Sequence, residues 1–526
     1  MTNFTISFEE THNVIKRLPS KSSIDLNGLS YRIIKNGGFM LTNYLTHLFA
    51  LSTEVGRLPS AWKAALITPI HKSSASTDVS NIRPISITSC CSRILERIVC
   101  KKIRSFLHSS DIVDGTQHGF SQGRSTDTVL LTFYDFVTES LNNNLNIDAI
   151  FFDFRKAFDT VPHDVLVHRL HSIGIRYQAL EWIKDFISNR SQKVRVNNAI
   201  SNSLPVSSGS GLQSSSSPPV APVIQGSVLG PMLFNIFIQD IDKVTRYSKT
   251  LKYADDIRIY QAGGRSSQDI QSLETHVQKD IDALSKRIAD SGMSFNHSKC
   301  FSASFGVRDT PPSYHINGNR IPCKTAFRDL GVSIQVPLKF NNHIDIVASK
   351  AARKLGLINK LFKFKSKDNI LRLFCSLVRP YLEYSSIVWS PYTIRNIRKI
   401  EKLQKKMCRM IPSISNMSYS VQLSSLGLLS LQSRRTYIQL TFLYKLYNGL
   451  LRADFDSFFS RCLRAAARGH DRRIIPKHSK RDFRLNFFTV SIIPLWNELP
   501  KDIIHAFSLN QFKSRLRSFL IQKENS

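Results

Sequence analysis

The order of patterns along this chain predicts an α+β fold ending in a basic helical region. Three observations carry that prediction. Ile150–Phe154 is a compact apolar run suited to a strand buried on both faces, while Leu251, Ile257 and Ile259 flank Tyr253-Ala254-Asp255-Asp256 as strand, turn, strand. A helical apolar period runs from about Asp269 to Asp290. Beyond Leu330-Gly331-Val332 the patterns are helical and strongly basic. Strands mixed with helices, then helices alone, define a mixed body with a helical appendage. The 526 residues divide into an N-terminal helical extension (1–55), the mixed body (56–335), basic helices (336–415) and a tail (416–526) to which no pattern assigns a role.

Each element follows from local signals. Residues 1–60 read as helical, with Leu41, Tyr44, Leu45 and Leu48 at helical spacing. Ala64–Ile70 reads as a strand whose Pro69 favours an end or a sheet edge, and a polar loop runs from His71 to Asn81. Helices are expected at Val165–Ile173, stopped by Gly174, and at Gln178–Ser188, where Leu180, Ile183 and Ile187 share a face. Ser201–Pro222 is rich in Ser, Pro and Gly without an apolar period and reads as a flexible loop. Pro231 opens a helix with Leu233, Ile236, Phe237, Ile241 and Val244 on one side. In the long helix Ile270, Leu273, Val277, Ile281, Leu284 and Ile288 face inward, with Gly292 just past its end. Asn317-Gly318 within Tyr314–Ile321 signals a hairpin.

Composition narrows the partners. Hydrophobic residues make up 42% and charged ones 21%, which marks a folded chain. Against 39 acidic residues stand 72 Lys and Arg, a net charge of +33. Such a charge makes physical sense with a polyanion to neutralise it, nucleic acid first and an anionic membrane surface second. There is no run of 18 apolar residues and no signal-peptide pattern, so neither a spanning nor a secreted protein is expected. The eight cysteines lack CxxC or Cys/His spacing, which points to a reducing, intracellular setting and away from structural zinc.

The chemistry-bearing residues are acidic. A turn with adjacent carboxylates, Asp255 and Asp256, offered a third (Asp153) from a separate strand, suits hard cations. Mg²⁺ prefers a few carboxylates plus substrate phosphates to an all-protein cage. Two such ions about 3.5–4 Å apart can clamp the attacking and leaving oxygens of an in-line phosphoryl displacement. Taken alone, the tetrapeptide reads equally well as a surface hairpin with acidic turn residues.

Further motifs surround it in a fixed order: Leu58-Pro59-Ser60-Ala61-Trp62-Lys63, Pro69-Ile70-His71-Lys72, Asn81-Ile82-Arg83-Pro84-Ile85-Ser86, and Gln117-His118-Gly119-Phe120 with Gly123-Arg124-Ser125-Thr126. Next come Ala157-Phe158-Asp159-Thr160-Val161-Pro162-His163, Gln225-Gly226-Ser227-Val228-Leu229-Gly230-Pro231, the acidic turn, Asn296 with Lys299, and Leu330-Gly331. From about residue 55 to 410 this series resembles the reverse transcriptases of non-LTR (LINE-like; jockey-, CR1- or RTE-type) retrotransposons. The resemblance implies a right-hand polymerase, with fingers and palm within 56–335 and a thumb-like region over 336–415. It implies an RNA-directed DNA polymerase that extends a primer 3′-hydroxyl by two-metal nucleotidyl transfer. Its cofactor would be Mg²⁺ (two ions, Mn²⁺ the alternative). Its partners would be an RNA template, a DNA primer or target and deoxynucleoside triphosphates, in the nucleus or cytoplasm and without a membrane.

Residue roles follow from the same resemblance. Asp153 and Asp255 would hold both metals with the backbone carbonyl of Phe154, and Asp256 is either a more peripheral acidic group or a support of the turn. Phe158 looks like a steric gate against the sugar, with a plain core aromatic as its alternative. Lys72 and Arg83 suit the triphosphate, Lys72 being otherwise an ordinary solvated side chain. Gly226 would let the backbone approach nucleotide or template beside the Gln225 amide, and Lys299 could protonate the departing pyrophosphate, with a solvated lysine at a strand start as its alternative. Downstream, Arg395, Arg398, Lys399, Lys402, Lys405, Lys406 and Arg409 surround an apolar stripe of Ile397, Ile400, Leu403, Met407 and Ile411, with Glu401 as the one acidic residue. The stripe would pack on the body while the cations face a phosphate backbone; an ordinary solvated face is the alternative.

Three departures qualify the resemblance. A Ser/Pro-rich insert (210–222) separates Val206-Ser207-Ser208-Gly209 from Ile224-Gln225-Gly226, which the family joins directly. The endonuclease that many such elements carry ahead of the polymerase is not expected here, which suggests a truncated element. Residues 420–526 carry no nuclease or zinc-knuckle signature, although Trp496-Asn497-Glu498-Leu499-Pro500 and the basic run Arg461–Arg484 look like the tail of related elements. The rival expectation is therefore a catalytically impaired remnant that binds nucleic acid. A basic protein of membrane surfaces, by contrast, needs no catalytic acids.

Overall fold

A computed structural model describes residues 1–71, 82–112, 114–197, 199–206, 226–462 and 470–525. Lys72, Asn81, Gln225, the insert 210–222 and most of the expected His71–Asn81 loop lie outside the described residues. The strands in chain order are β1 (Ala64–His71), β2 (Ile82–Ile87), β3 (Asn146–Phe152), β4 (Ser191–Val196), β5 (Ala199–Ile200), β6 (Leu204–Pro205), β7 (Lys249–Tyr253), β8 (Asp256–Gly263) and β9 (Phe301–Phe305). Two hairpins follow, β10–β11 (Tyr314–Ile316, Asn319–Ile321) and β12–β13 (Ala326–Asp329, Val332–Gln335).

The central sheet is antiparallel with order β7-β8-β3-β9. All seven residues of β3 are buried, because both faces of the sheet are covered. Ile147, Ala149 and Phe151 join Val129, Phe133 and Tyr134 of the Thr126–Asn142 helix in one core. Ile150 and Phe152 join Leu273, Val277 and Ile281 of the Ser267–Asp290 helix in the other. The alternation is that of a strand with two apolar faces. The strand begins at Asn146, earlier than the apolar run suggests, because its polar residues find buried partners. Asp148 accepts from Arg308 at 2.6 Å and from the Tyr314 hydroxyl at 2.5 Å, and Asn146 accepts from the Val307 N–H at 3.0 Å.

In the first sheet β1 pairs antiparallel with β2 and parallel with β4, the latter only over Ala64–Ile67. Pro69 comes after that parallel partner has ended and sits opposite Pro84, so its missing N–H breaks no ladder on the β4 side. The long helix starts at a capping box, Ser266 with Asp269, and Gly292 follows its end at φ 76°. Asn317 and Gly318, both at positive φ, close the β10–β11 hairpin as expected.

Three expectations are corrected. The helix opened by Pro231 stops at Phe237, and Ile241–Val244 is a separate 3₁₀ turn. The carbonyls of Ile238 and Gln239 accept from the buried Lys252 ammonium, at 3.3 and 3.0 Å, and the helix does not continue. Val332 does not begin a helical region: Val332–Gln335 pairs back on Ala326–Asp329 around Leu330-Gly331, both at positive φ, and the first basic helix is Asn341–Leu361. Within the expected Ser201–Pro222 loop, Leu204–Pro205 pairs with β4.

The tail packs into the same core as the inner face of the Thr126–Asn142 helix, through Leu440, Leu443, Phe488, Ile492 and Trp496. Arg484, almost fully buried, donates to Asp135 at 2.5 Å and Thr138 at 2.8 Å and pairs with Glu139 on that helix. Trp496 and Asn497 hold a neighbouring segment of the tail in place. Trp496 Nε1 donates to the Arg472 carbonyl at 2.8 Å, and the Asn497 amide brackets the main chain of Ile474 at 2.9 and 2.8 Å. No disulfide forms, and no helix among the described residues is long and apolar enough to cross a membrane.

Candidate active site

Strand register brings the acidic residues together. Phe152 of β3 lies opposite Ile257 of β8, so the next residue of each, Asp153 and Asp256, face one another at the strand ends. β7 and β8 are joined by the two-residue turn Ala254-Asp255, closed by the Tyr253–Asp256 pair. Burial raises the Asp255 carboxyl pKa and the charge of Asp153 raises it further, while Lys299 and Arg83 pull it down. The Asp256 carboxyl is pushed up to about 7, first by desolvation and then by Asp255. Its residue still reaches solvent at the lip of the cleft.

Asp153 and Asp256 line a cleft of about 350 Å³ with Lys299, Lys324 and Arg328. The Lys299 ammonium donates to both oxygens of Asp153, at 3.1 and 3.5 Å. Beyond β3 the chain is held against residues 294–296: the Asp153 carbonyl accepts from the Asn296 N–H at 2.7 Å, and the Arg155 N–H donates to Ser294 at 3.0 Å. These flanking groups make the Phe154–Phe295 bridge, which leaves the Phe154 carbonyl outside that pairing. Among the described residues no three His, Cys, Asp or Glu side chains gather into a ready-made metal cage. Two carboxylates and a carbonyl are instead the hard, incomplete donor set that a phosphate-bound Mg²⁺ uses.

The other expected residues fall as follows. Arg83 is exposed on β2, with its charge acting on Asp255. Phe158 is half-buried, its ring 4.7 Å from that of Phe234. Gly226, at φ 116°, lies against β2, where a Cβ would overlap the Ser86 carbonyl; its close approach is to the protein's own backbone. On the Ile394–Arg409 helix Ile400, Leu403 and Met407 are buried, and Arg395, Arg398, Lys402, Lys405, Lys406 and Arg409 are exposed. Lys399 pairs with Asp345 of the Asn341–Leu361 helix. Between these two helices runs a groove of about 830 Å³ lined by Lys399, Lys402, Lys405, Lys406 and Arg409. Glu401 leaves those cations alone: it takes the Tyr419 hydroxyl and the Leu431 N–H.

Sequence reasoning missed how the acidic turn is held. Ala254 adopts φ 54°, unfavourable for a residue with a Cβ. The buried Gln117 amide secures it from both sides, accepting from the Ala254 N–H at 2.9 Å and donating to the Ala254 carbonyl at 3.2 Å. Gly119 packs so close that a Cβ would overlap the Ala254 main chain. Thr116–His118 runs beside β7 through two backbone hydrogen bonds to Lys252, at 2.9 and 2.8 Å. The motif was legible, but nothing in it announced this contact.

A strand-end carboxylate facing an acidic two-residue turn, with cations around the cleft between them, suits divalent-ion and phosphate chemistry. The chain belongs to the reverse transcriptase (RNA-dependent DNA polymerase) family, whose sequence model matches residues 70–334. It is similar to the RNA-directed DNA polymerase from mobile element jockey of Drosophila melanogaster, 27% identical over 396 residues, 73% of this chain and 41% of the relative. It is also similar to the probable RNA-directed DNA polymerases from two other elements of that species. For transposon X-element the identity is 25% over 66% of this chain and 37% of the relative. For transposon BS it is 25% over 73% and 42%. The chain thus spans about two fifths of the length of these curated relatives.

Proposed function

We propose that this chain is the RNA-directed DNA polymerase of a non-LTR retrotransposon, adding deoxynucleotides to a primer 3′-hydroxyl on an RNA template. The observation that carries it is the convergence of Asp153 with Asp255 and Asp256 at adjoining ends of β3 and the β7–β8 turn. In this reading the central sheet is the palm, the β1–β2–β4 sheet belongs to the fingers, and the helices of 336–415 form the thumb. Asp153, Asp255 and the Phe154 carbonyl hold the divalent ions. Bound there, Mg²⁺ supplies positive charge to the attacking and leaving oxygens. In this reading Lys299, which donates to Asp153, would give a proton to the departing pyrophosphate, and Arg83, whose charge acts on Asp255, would meet the triphosphate. Lys72 and Gln225 are assigned to the nucleotide, and Phe158 to the sugar, by family resemblance.

Primer extension on an RNA template with Mg²⁺ tests the reading. Extension by wild type no greater than by Asp153→Ala would favour the second reading, a remnant that binds nucleic acid without turnover. That reading rests on the Ser/Pro-rich insert beside Gln225-Gly226.

Gln117 is expected to act as a positioning residue. Gln117→Ala should lower the extension rate about 10–100-fold and raise the Mg²⁺ concentration for half-maximal rate, because a turn displaced by about 1 Å spoils the reacting geometry. A Gln117→Ala enzyme with unchanged Mg²⁺ dependence would refute that role. Binding of template–primer should weaken steeply with salt. The triple change Lys402→Ala, Lys406→Ala and Arg409→Ala should reduce the slope of log affinity against log salt by roughly 2–3, at about 0.9 for each phosphate no longer neutralised. An unaltered slope in filter binding would remove this helix from the nucleic-acid path.

A further inference from the structure

A second groove lies on the other face of the central sheet. The Ser267–Asp290 helix buries Leu273, Val277 and Ile281 in the core shared with Ile150 and Phe152, whereas Asp153 and Asp256 continue the opposite alternation, that of Phe151 and Arg258. Between the outer side of this helix and the 243–247 segment runs a groove of about 670 Å³. Lys243, Arg246, Lys279 and Lys286 line it, all exposed and none in an ion pair among the described residues.

The acidic residues there do little to cancel these cations. Asp280, buried in the floor, spends its carboxylate on three backbone N–H groups, those of Arg246, Tyr247 and Ser248, at 2.8, 3.0 and 2.6 Å. Arg287 is committed to Asp240 at 2.5 Å, and Asp290 stands exposed at the far end. The same Asp280 contacts fix the segment that presents Tyr247. That ring lies parallel to His276, with centroids 4.1 Å apart and planes within 3°, yet Tyr247 stays 42% exposed. One ring face is therefore supported from within while the side chain opens to solvent.

We propose that this groove binds single-stranded nucleic acid, a base extending the Tyr247–His276 stack and phosphates meeting Lys243, Arg246, Lys279 and Lys286. A flat aromatic platform flanked by uncompensated cations is how single strands are held without sequence readout. A surface for an acidic peptide has no need of the platform. The site is separate from the proposed polymerase cleft and would give the chain a hold on a strand outside the template–primer duplex.

The test saturates the 526-residue chain with a hairpin template–primer, then titrates in labelled oligo-rU or oligo-dT and follows anisotropy. A further binding isotherm with either strand is expected. It should weaken about tenfold or more in Lys279→Glu/Lys286→Glu and about fivefold or more in Tyr247→Ala, and persist in Tyr247→Phe. Hairpin extension should be unchanged in all three. Absence of the isotherm overturns the proposal, as does an isotherm indifferent to these changes. An isotherm that falls with the lysines but ignores Tyr247→Ala also overturns it, because that is a plain anion surface. A chain that extends no primer yet shows the Tyr247-dependent isotherm sinks the polymerase reading and keeps this one.

Discussion

Asp255→Ala is expected to reduce RNA-templated primer extension by about thousandfold or more, equivalent to about 4 kcal/mol of transition-state stabilisation. Asp255 sits in a turn whose conformation is fixed by neighbours, Gln117 above all, so the substitution deletes a carboxylate without removing a support. Nor should the chain unfold. Burial and Asp153 raise the Asp255 pKa in the folded state, so its ionised form is disfavoured there relative to the unfolded chain. That penalty appears as pH rises above the unfolded carboxyl value and is complete above the folded one. At neutral pH Asp255→Ala should therefore melt at or above the wild-type temperature. Added Mg²⁺ should raise the wild-type midpoint and leave the variant unmoved, since in the proposed site the like charges that repel without a cation are those that would bind it. Wild-type extension by the variant, or equal stabilisation of both proteins by Mg²⁺, would remove Asp255 from the proposed metal site.

Much of this site is legible in the sequence because its residues are adjacent or periodic. Asp255 and Asp256 are neighbours, and the apolar run before Asp153 is long enough to demand burial on both faces. The Ser267–Asp290 helix carries its own amphipathic stripe, capping box and terminal glycine. What escaped depends on partners far along the chain. Asn146 and Asp148 lie outside the apolar run, and their partners Val307, Arg308 and Tyr314 are far along the chain. The Pro231 helix looks longer until Lys252 reaches the carbonyls at its end. Val332–Gln335 is too short to announce itself beside strongly helical neighbours. Gln117 is separated from Ala254 by 137 positions, and no local pattern encodes that contact.

The same blindness hid the pair expected to matter most for stability. Asp329→Ala should cost about 3–5 kcal/mol, the usual consequence of stripping one partner from a buried ion pair. Arg258 and Asp329 are 2% and 3% exposed at their side chains, bonded through two parallel contacts of 2.6 and 2.7 Å, and the Tyr134 hydroxyl adds a third at 2.9 Å. Phe133 and Phe151 flank the guanidinium, with ring centroids 5.2 and 5.3 Å from its carbon. An arginine cannot escape by losing its proton, so the variant strands a full charge between aromatic rings. The pair ties β8, two residues past Asp256, to β12 and hence to the Leu330-Gly331 turn across the cleft. Arg258→Met/Asp329→Leu should recover most of the loss, since apolar replacements of both partners leave nothing unsatisfied. Denaturant midpoints decide the matter. A single variant as stable as wild type would mean water already reaches the pair. A double variant as weak as the single one would assign the loss to packing around Tyr134 instead of an orphaned charge.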